Sequence, residues 1–343
     1  MMDNVDKLVQ GWVQEQKIPG GVLSVTIKNK FQFFKAYGAY SDGKELKSMA
    51  LDTIFDLASL TKVVSTLPAI LTLAAADKLS LEHKVKTYIP SFNQDQVTIR
   101  HLLMHSSGLP ADLPAEPRSM QGRRVLDDVL KQELLSPAGQ QVVYSDLGMI
   151  LLGEIISTVS GESLEQYVRK AVFEPLGMTD TRFNPDEAVR TRTAATEFVD
   201  EAYIVGEVHD EKCYHLGGVS GSAGLFSSIF DLAKYADFWL DSEKGGIIPL
   251  PFIQAALSKP LLNRGLGWEV LGDPQAIPYS CGTLWGQGSF GHTGFTGTSL
   301  WIDPSRELIV VFLTNAVHFG RNNPIRHLRR QLHDEIFSSL FHS

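Results

Sequence analysis

The stretch Thr53-Ile54-Phe55-Asp56-Leu57-Ala58-Ser59-Leu60-Thr61-Lys62 decides how the chain is read, because here an extended segment meets a long apolar helix at a serine and a lysine three positions apart. Residues i and i+3 of a helix share a face, so the spacing brings the Lys62 amine within reach of the Ser59 hydroxyl. A serine hydroxyl is a weak nucleophile at neutral pH, and a lysine whose pKa is lowered by burial can take its proton as it attacks a carbonyl. Backbone N–H groups at a helix start have no intrahelical partner and can hold a developing oxyanion. Three parts of acyl-transfer chemistry thus fall within one turn.

Roughly one Ser-x-x-Lys is expected by chance in a chain of this length, so the surroundings carry the argument. A second copy, Ser41-Asp42-Gly43-Lys44, follows the strand-like Phe31–Tyr40 segment, and its glycine makes it a turn with no shared helical face. The copy at Ser59 leads into residues 63–76, which are apolar nearly all round, the pattern of a helix buried in the middle of a protein. Pro68 predicts a kink in it.

Working outward, 343 residues suffice for a large core and predict two closely joined domains. The chain is 43% hydrophobic and 20% charged, as ordinary globular proteins are. Its net charge of -8 and pI near 5.7 argue against a general nucleic-acid or anionic-membrane binder. The C-terminal cluster Arg321, Arg326, Arg329 and Arg330 reads as a solvated helix face. Cys213 and Cys281 form no metal-spacing pattern and make at most one bridge. No signal peptide is visible and no stretch is expected to reach bilayer-spanning length, so the chain as given reads as cytoplasmic, or as exported if an export signal has been removed.

Val5, Leu8, Val9, Trp12 and Val13 follow helical spacing up to Ile18-Pro19-Gly20-Gly21, and Val22–Ile27 with Phe31–Tyr37 predict an antiparallel hairpin. Ile99–Met104, Val125–Leu135, Leu147–Val159 and Leu164–Val172 are the clearest internal helices, while the Gly-rich 217–224 stretch has no assignable structure. Thr298–Ile302 and Leu308–Thr314 flank the turn signal Asp303-Pro304-Ser305-Arg306, and a helical pattern from Ile325 to Leu340 closes the chain. The expected fold class is α+β. One antiparallel sheet is built from both chain ends, residues 1–75 and 265–343, and a mostly helical domain, 76–264, is inserted between them, with the site in the cleft.

Two further stretches belong to that site. Tyr144 in Tyr144-Ser145-Asp146, just before an apolar helix, is placed to share protons with Lys62 and to protonate a leaving group. In His292-Thr293-Gly294, expected just before a strand, the glycine lets substrate approach the backbone and the threonine hydroxyl can bind its polar atoms.

Together, Ser59-Leu60-Thr61-Lys62, Tyr144-Ser145-Asp146 and His292-Thr293-Gly294 resemble the three ordered motifs of the serine β-lactamase and penicillin-binding-protein superfamily, most of all its class C β-lactamase branch with its DD-peptidases and lactamase-type esterases. Ile18-Pro19-Gly20-Gly21, residues 101–109 and Gly265-Leu266-Gly267-Trp268 are also similar to family stretches, so the resemblance spans nearly the whole chain. It implies that Ser59 is acylated, that Lys62 accepts its proton, and that Tyr144 acts as general base or acid. It further implies an oxyanion hole from the backbone N–H groups of Ser59 and Phe295, substrate contacts from Asp146, His292, Thr293 and Gly294, and no metal or organic cofactor.

Two departures bear on substrate. Asp146 stands where the family usually has asparagine; its carboxylate is expected to raise the Lys62 pKa and to repel a substrate carboxylate. His292 stands where lysine is common and is a full cation only below its own pKa. Both point toward esters, or amides whose acidic group lies elsewhere.

Other candidates carry less. His101 and His105 are spaced i, i+4 as zinc ligands can be, but no acidic third ligand stands at a telling distance, and capping or core packing explains them better. His209-Asp210-Glu211 reads as a solvated turn able to reach over the site. No Gly-x-Ser-x-Gly elbow occurs. The expectation is a serine acyl-hydrolase acting through an acyl-enzyme on a β-lactam, a D-amino-acid peptide or amide, or an ester, its partner a small-molecule or peptidoglycan-derived substrate. The alternatives are a penicillin-binding or sensory protein that acylates without turnover, and a carboxylesterase with little β-lactam activity.

Overall fold

The computed structural model describes residues 2–120, 122, 124–241, 246–258, 261–272 and 280–341. Its main sheet has seven antiparallel strands in the order Leu46–Ser48, Phe31–Ser41, Gly20–Ile27, Leu308–Thr314, Ser299–Asp303, Phe290–Thr293 and Glu269–Val270. The first and last thirds of the chain meet at its centre, where Val25 pairs with Val310. Both expected hairpins form, with Val25 opposite Phe33 and Trp301 opposite Val310.

Strand alternation divides these residues between two cores. Leu23, Val25, Val310 and Phe312 pack with Val5, Trp12, Leu328 and Leu332 of the two terminal helices, Asp3–Gln14 and Ile325–Phe341. Their alternates Val22, Val311 and Leu313 face the larger core, which includes Leu232, Tyr235 and Trp239 of the helix Ile229–Leu240. Every residue of Leu308–Thr314 is therefore buried, although the sheet is antiparallel. A one-residue slip would exchange the two faces and is excluded by both cores at once.

The Ser59 segment leaves a small three-stranded sheet, Phe55–Asp56 beside Leu225–Ser227 beside Arg182–Phe183. It is not the regular α-helix that the spacing predicts. Ala58–Leu60 is a 3₁₀ turn and Lys62–Thr66 a π-helical turn, and the α-helix runs only over Leu67–Ala75. Pro68 has no N–H to offer the preceding turn, and the Val63 carbonyl five residues before it accepts the Tyr235 hydroxyl instead. The disturbance expected at Pro68 thus falls upstream, on the turn that carries Lys62.

The expectation that no stretch reaches bilayer-spanning length is corrected. Ala58–Ala75, 18 residues of mean hydropathy 1.5, is long and apolar enough, but 83% of it is buried inside the protein, as a core helix is. Ser41-Asp42-Gly43-Lys44 is a turn, with the Asp42 carboxylate accepting the N–H groups of Lys44 and Glu45 and Gly43 at φ +88°. Cys213 and Cys281 are buried free thiols.

Candidate active site

Ser59 lies at the end of a strained turn. Ala58 holds φ +46°, a left-handed conformation that costs about 1 kcal/mol for a residue with a Cβ. The buried Asp56 carboxylate holds the turn by accepting the Ala58 N–H at 2.8 Å and the His209 N–H at 2.7 Å. Burial raises the Asp56 pKa, and these two hydrogen bonds offset only part of that rise. Ser59 itself is half-buried and open on one side.

Lys62 is fully buried. Its Nζ lies 2.9 Å from Ser59 Oγ, 2.8 Å from the Ser222 carbonyl oxygen and 2.8 Å from Asp146 Oδ1. Two of the ammonium protons are accepted by Ser59 Oγ and the Ser222 carbonyl, and the Asp146 carboxylate forms an ion pair with the group. Burial works to lower the Lys62 pKa, but the Asp146 carboxylate, with a contribution from the Tyr144 side chain, outweighs it and holds the group above its ordinary value. The consequence expected from aspartate in place of asparagine is therefore present in the structure. Ser222 belongs to the Gly-rich stretch whose structure the sequence left open. Its backbone is fixed because Gly221 packs so closely on the next helix that a Cβ would stand 2.1 Å from the Met149 carbonyl oxygen.

Asp146 is the first residue of the helix Asp146–Ser160, where a negative charge meets the positive end of the helix dipole. Its carboxylate bridges two cations, with Lys212 Nζ 3.5 Å from Oδ2. Burial raises the Asp146 pKa, but Lys62 and Lys212 reverse this and leave it lowered. Lys212, 7% exposed, also reaches Asp112 at 2.9 Å and Asp210 at 3.0 Å. The sequence reading missed Lys212, since nothing in its local spacing marks it.

Tyr144 is set by the loop before it. His105 Nδ1 accepts the Ser145 N–H at 3.1 Å, and Ser145 donates its hydroxyl to the Pro110 carbonyl at 2.6 Å. The tyrosine ring lies tilted at 4.5 Å from His105 and 5.8 Å from His292, with Lys62 Nζ 5.1 Å from its centre. His105 thus supports the tyrosine, and His101 caps its own helix by accepting the Thr98 N–H. Among the described residues no group of three or more His, Cys, Asp or Glu could hold a metal ion.

His292-Thr293 does not precede a strand, as expected, but ends one, Phe290–Thr293, and Gly294 opens the turn to the next. A Cβ at Gly294 would stand 2.4 Å from the Leu57 carbonyl oxygen, so glycine is needed for the sheet to approach the Ser59 turn. Thr296 and Thr298 fasten the two together by donating to the carbonyls of Asp56 (2.7 Å) and Leu57 (3.1 Å). The Phe295 N–H makes no main-chain hydrogen bond among the described residues. His292 is buried; this, with Arg264 and Lys62 nearby, drives its pKa well down, so it is a neutral imidazole whose Nδ1–H donates to the Thr293 carbonyl at 2.9 Å.

Two expectations about charged groups are corrected. Arg329 is not on a solvated face. It is 4% exposed and donates to the carbonyls of Gly294 (2.5 Å) and Gly297 (3.2 Å), bracketing the Phe295 turn, and burial lowers its pKa to about 9. His209 is not in a solvated turn either. It is 4% exposed, its Nε2 meets Glu197 at 2.9 Å, and its ring stacks on Phe295 at 5.7 Å, so it does reach over the site.

A serine and a lysine on one turn, a tyrosine against the lysine, and a strand end fastened beside the serine define a serine acyl-transfer site on an α+β scaffold. The chain belongs to the beta-lactamase family, whose profile, described as Beta-lactamase, matches residues 5–335. A relative from Escherichia coli (strain K12) that carries the name "Putative D-alanyl-D-alanine carboxypeptidase" is 32% identical over 363 residues, covering 92% of this chain and 83% of the relative. Solved structures share the fold at lower identity. "EstCE1, a hydrolase with promiscuous acyltransferase activity" is 22% identical with a TM-score of 0.77, covering 95% of this chain and 97% of that one. A class C beta lactamase is also 22% identical with a TM-score of 0.77, covering 98% and 97%. The protein is a serine hydrolase of this family.

Proposed function

We propose that the protein cleaves acyl compounds through an acyl-enzyme on Ser59, with D-alanyl-D-alanine-type peptides as the leading substrate class. The reaction takes place between the sheet region, 1–75 and 265–343, and the mostly helical region, 76–264. The observation that carries the reading is the contact of Lys62 Nζ with Ser59 Oγ at 2.9 Å inside a buried set of acceptors. Ser59 Oγ attacks the carbonyl carbon, and its proton passes to Lys62 once that ammonium has given one proton to its surroundings, with Tyr144 delivering a proton to the leaving group. The N–H groups of Ser59 and Phe295 receive the oxyanion. Thr293 and Gly294 hold the substrate backbone. The name of the E. coli relative supports the peptide class.

A second reading, acylation without turnover, is favoured by the ion pair with Asp146, which holds Lys62 as an ammonium without a lone pair to activate water in the resting state. Steady-state and single-turnover kinetics on an acylated D-alanyl-D-alanine peptide, a penicillin and a short-chain ester separate the two. Turnover that is lost in Ser59→Ala and falls by orders of magnitude in Lys62→Ala and Tyr144→Phe is the expected result. A burst with no second turnover on any of the three favours the non-turnover reading. Near-normal hydrolysis by Ser59→Ala refutes both.

A further inference from the structure

A second lysine shares the counter-charge of the first. Lys212, on the helix Glu211–His215, is buried, and its ammonium meets three carboxylates from three separate stretches: Asp112 at 2.9 Å, Asp210 at 3.0 Å and Asp146 Oδ2 at 3.5 Å. The other oxygen of Asp146 faces Lys62 Nζ at 2.8 Å. One carboxylate is therefore divided between two ammonium groups. The arrangement is fixed from both sides. Asp146 donates its N–H to the Ala111 carbonyl at 2.9 Å, which brings the Asp112 loop against the helix start, and Asp210 caps the helix of Lys212 by accepting the Cys213 N–H at 2.8 Å. Cys213 in turn donates its thiol to the Ala223 carbonyl at 3.2 Å, next to the Ser222 carbonyl that receives Lys62.

This is more acid than Lys212 needs. A buried ammonium loses its charge unless acids match it, and Asp112 and Asp210 already do so, each at 3.0 Å as hydrogen-bond acceptors. Burial works to lower the Lys212 pKa, but Asp210, Asp146 and Asp112 outweigh it, so the group keeps its proton. The contact with Asp146 therefore matters most for Lys62. The carboxylate holds the Lys62 proton in place, and a positive charge on its far oxygen offsets part of that hold. The other titratable or charged groups facing this set are Tyr144, with His105, His292 and Arg264 around its ring, and Asp56, His209 and Cys213 toward Asp210. Burial keeps His105 and His292 neutral and the Cys213 thiol protonated. Among the described residues Lys212 is the one other cation paired with Asp146.

We propose that Lys212 is a positioning residue for acylation: its charge on the far oxygen of Asp146 offsets that carboxylate's hold on Lys62, so that Lys62 can release a proton and then accept the one from Ser59 Oγ. The inference rests on the acyl-enzyme reading above, in which that proton passes to Lys62. Lys212 itself keeps its protons throughout and acts on Lys62 through Asp146. It supplies a fixed charge at a set distance from the proton acceptor, as preorganised charges in a dry site do. Asp146 and Lys212 thus work together, an aspartate with its own counter-ion standing where the family usually has a neutral asparagine.

The test is the pH dependence of kcat/KM for acylation by penicillin G and by p-nitrophenyl acetate. Lys212→Gln should carry the alkaline rise to higher pH by at least about half a unit, which is about a threefold loss of rate at a fixed pH on the rise, and Lys212→Arg, which keeps the charge, should restore most of it. In the Asp146→Asn background the same Lys212→Gln change should cost less than half as much, because the carboxylate that couples the two lysines is gone. Where Lys212→Gln alone folds poorly, it is compared instead within the Asp112→Asn variant, which removes the acid left over. A rise that stays in place or moves to lower pH in Lys212→Gln, or a loss of equal size in Asp146→Asn, overturns the proposal. A purely structural tie between segments would lower the rate by one factor in both backgrounds, and the denaturation midpoint with it. Acylation that persists in Ser59→Ala overturns the acyl-enzyme reading instead.

Discussion

Replacing Asp146 by asparagine removes one charge from the site while keeping its shape, and the outcome bears directly on how Lys62 is poised. Asp146 Oδ1 stands 2.8 Å from Lys62 Nζ. At an effective dielectric of about 20, two unit charges at that distance attract by about 6 kcal/mol. Desolvation and the retained amide contact cancel much of this, yet a quarter of it still corresponds to about one pKa unit. The sign is fixed. Asp146 raises the Lys62 pKa and burial lowers it, so without the carboxylate the pKa falls, and more of the lysine is neutral at a given pH. If the proton of Ser59 goes to Lys62, the alkaline rise of kcat/KM for acylation must move to lower pH by at least about one unit in Asp146→Asn. Lys212 keeps Asp112 and Asp210, so it is not stranded by the change. The assay is the pH dependence of acylation by a penicillin and by a neutral ester. A rise that stays in place, or moves to higher pH, refutes the claim that Asp146 governs the proton acceptor. Acylation by the penicillin should also improve, since one negative charge near its carboxylate is gone; poorer acylation counts against that part.

Three other outcomes follow from the geometry. Arg329→Met should lower kcat roughly 10–100-fold with little change in KM, because the turn that aims the Phe295 N–H loses its two guanidinium hydrogen bonds and keeps only the Thr296 and Thr298 contacts; Arg329→Lys should recover only part, and an equal effect on KM would contradict a positioning role. His105, His292 and His333 are buried and held neutral, with His333 lowered to about 3 by burial and Arg329. Their stabilising effect is complete above the unfolded value near 6.5 and is lost as pH falls from there toward the folded values, at about 1.4 kcal/mol per pH unit for each, so denaturation midpoints measured from about pH 7 to 4 should fall steeply and less steeply in His333→Phe. Gly221→Ala forces a Cβ to within 2.1 Å of the Met149 carbonyl and should cost about 1–3 kcal/mol in chemical denaturation while displacing the Ser222 acceptor of Lys62; unaltered stability would mean the contact is looser than it stands.

The parts legible in the sequence are those with a local signature. The two hairpins, the terminal helices and the burial of the segment after Lys62 are written in apolar periodicity, and they determine a sheet assembled from both chain ends. Ser59, Lys62 and Tyr144 lie together as their motifs suggest, because each motif sits where a loop or strand meets a helix. What the sequence concealed depends on contacts between distant segments. Lys212 stands 66 residues from Asp146 (212 − 146) and Arg329 stands 35 from Gly294 (329 − 294), and nothing beside either residue announces the partner. Arg329 lies among other arginines on an amphipathic helix, so only the packing of that helix on the sheet shows that its guanidinium points inward. The π-helical turn at Lys62–Thr66 was equally hidden, since it arises from Pro68 together with Tyr235 on another helix. His209 and the Gly-rich stretch before Ser222 reach the site by tertiary folding alone.

The most direct test of the account is intact mass followed over time after mixing the protein with a penicillin, an acylated D-alanyl-D-alanine peptide or a short-chain ester, with Ser59→Ala alongside. The account predicts a mass increase equal to the acyl group on at least one of them, absent in Ser59→Ala and mapped by peptide fragmentation to Ser59. An adduct that persists in Ser59→Ala, or turnover of any of the three with that variant at the rate of the unaltered protein, would contradict it.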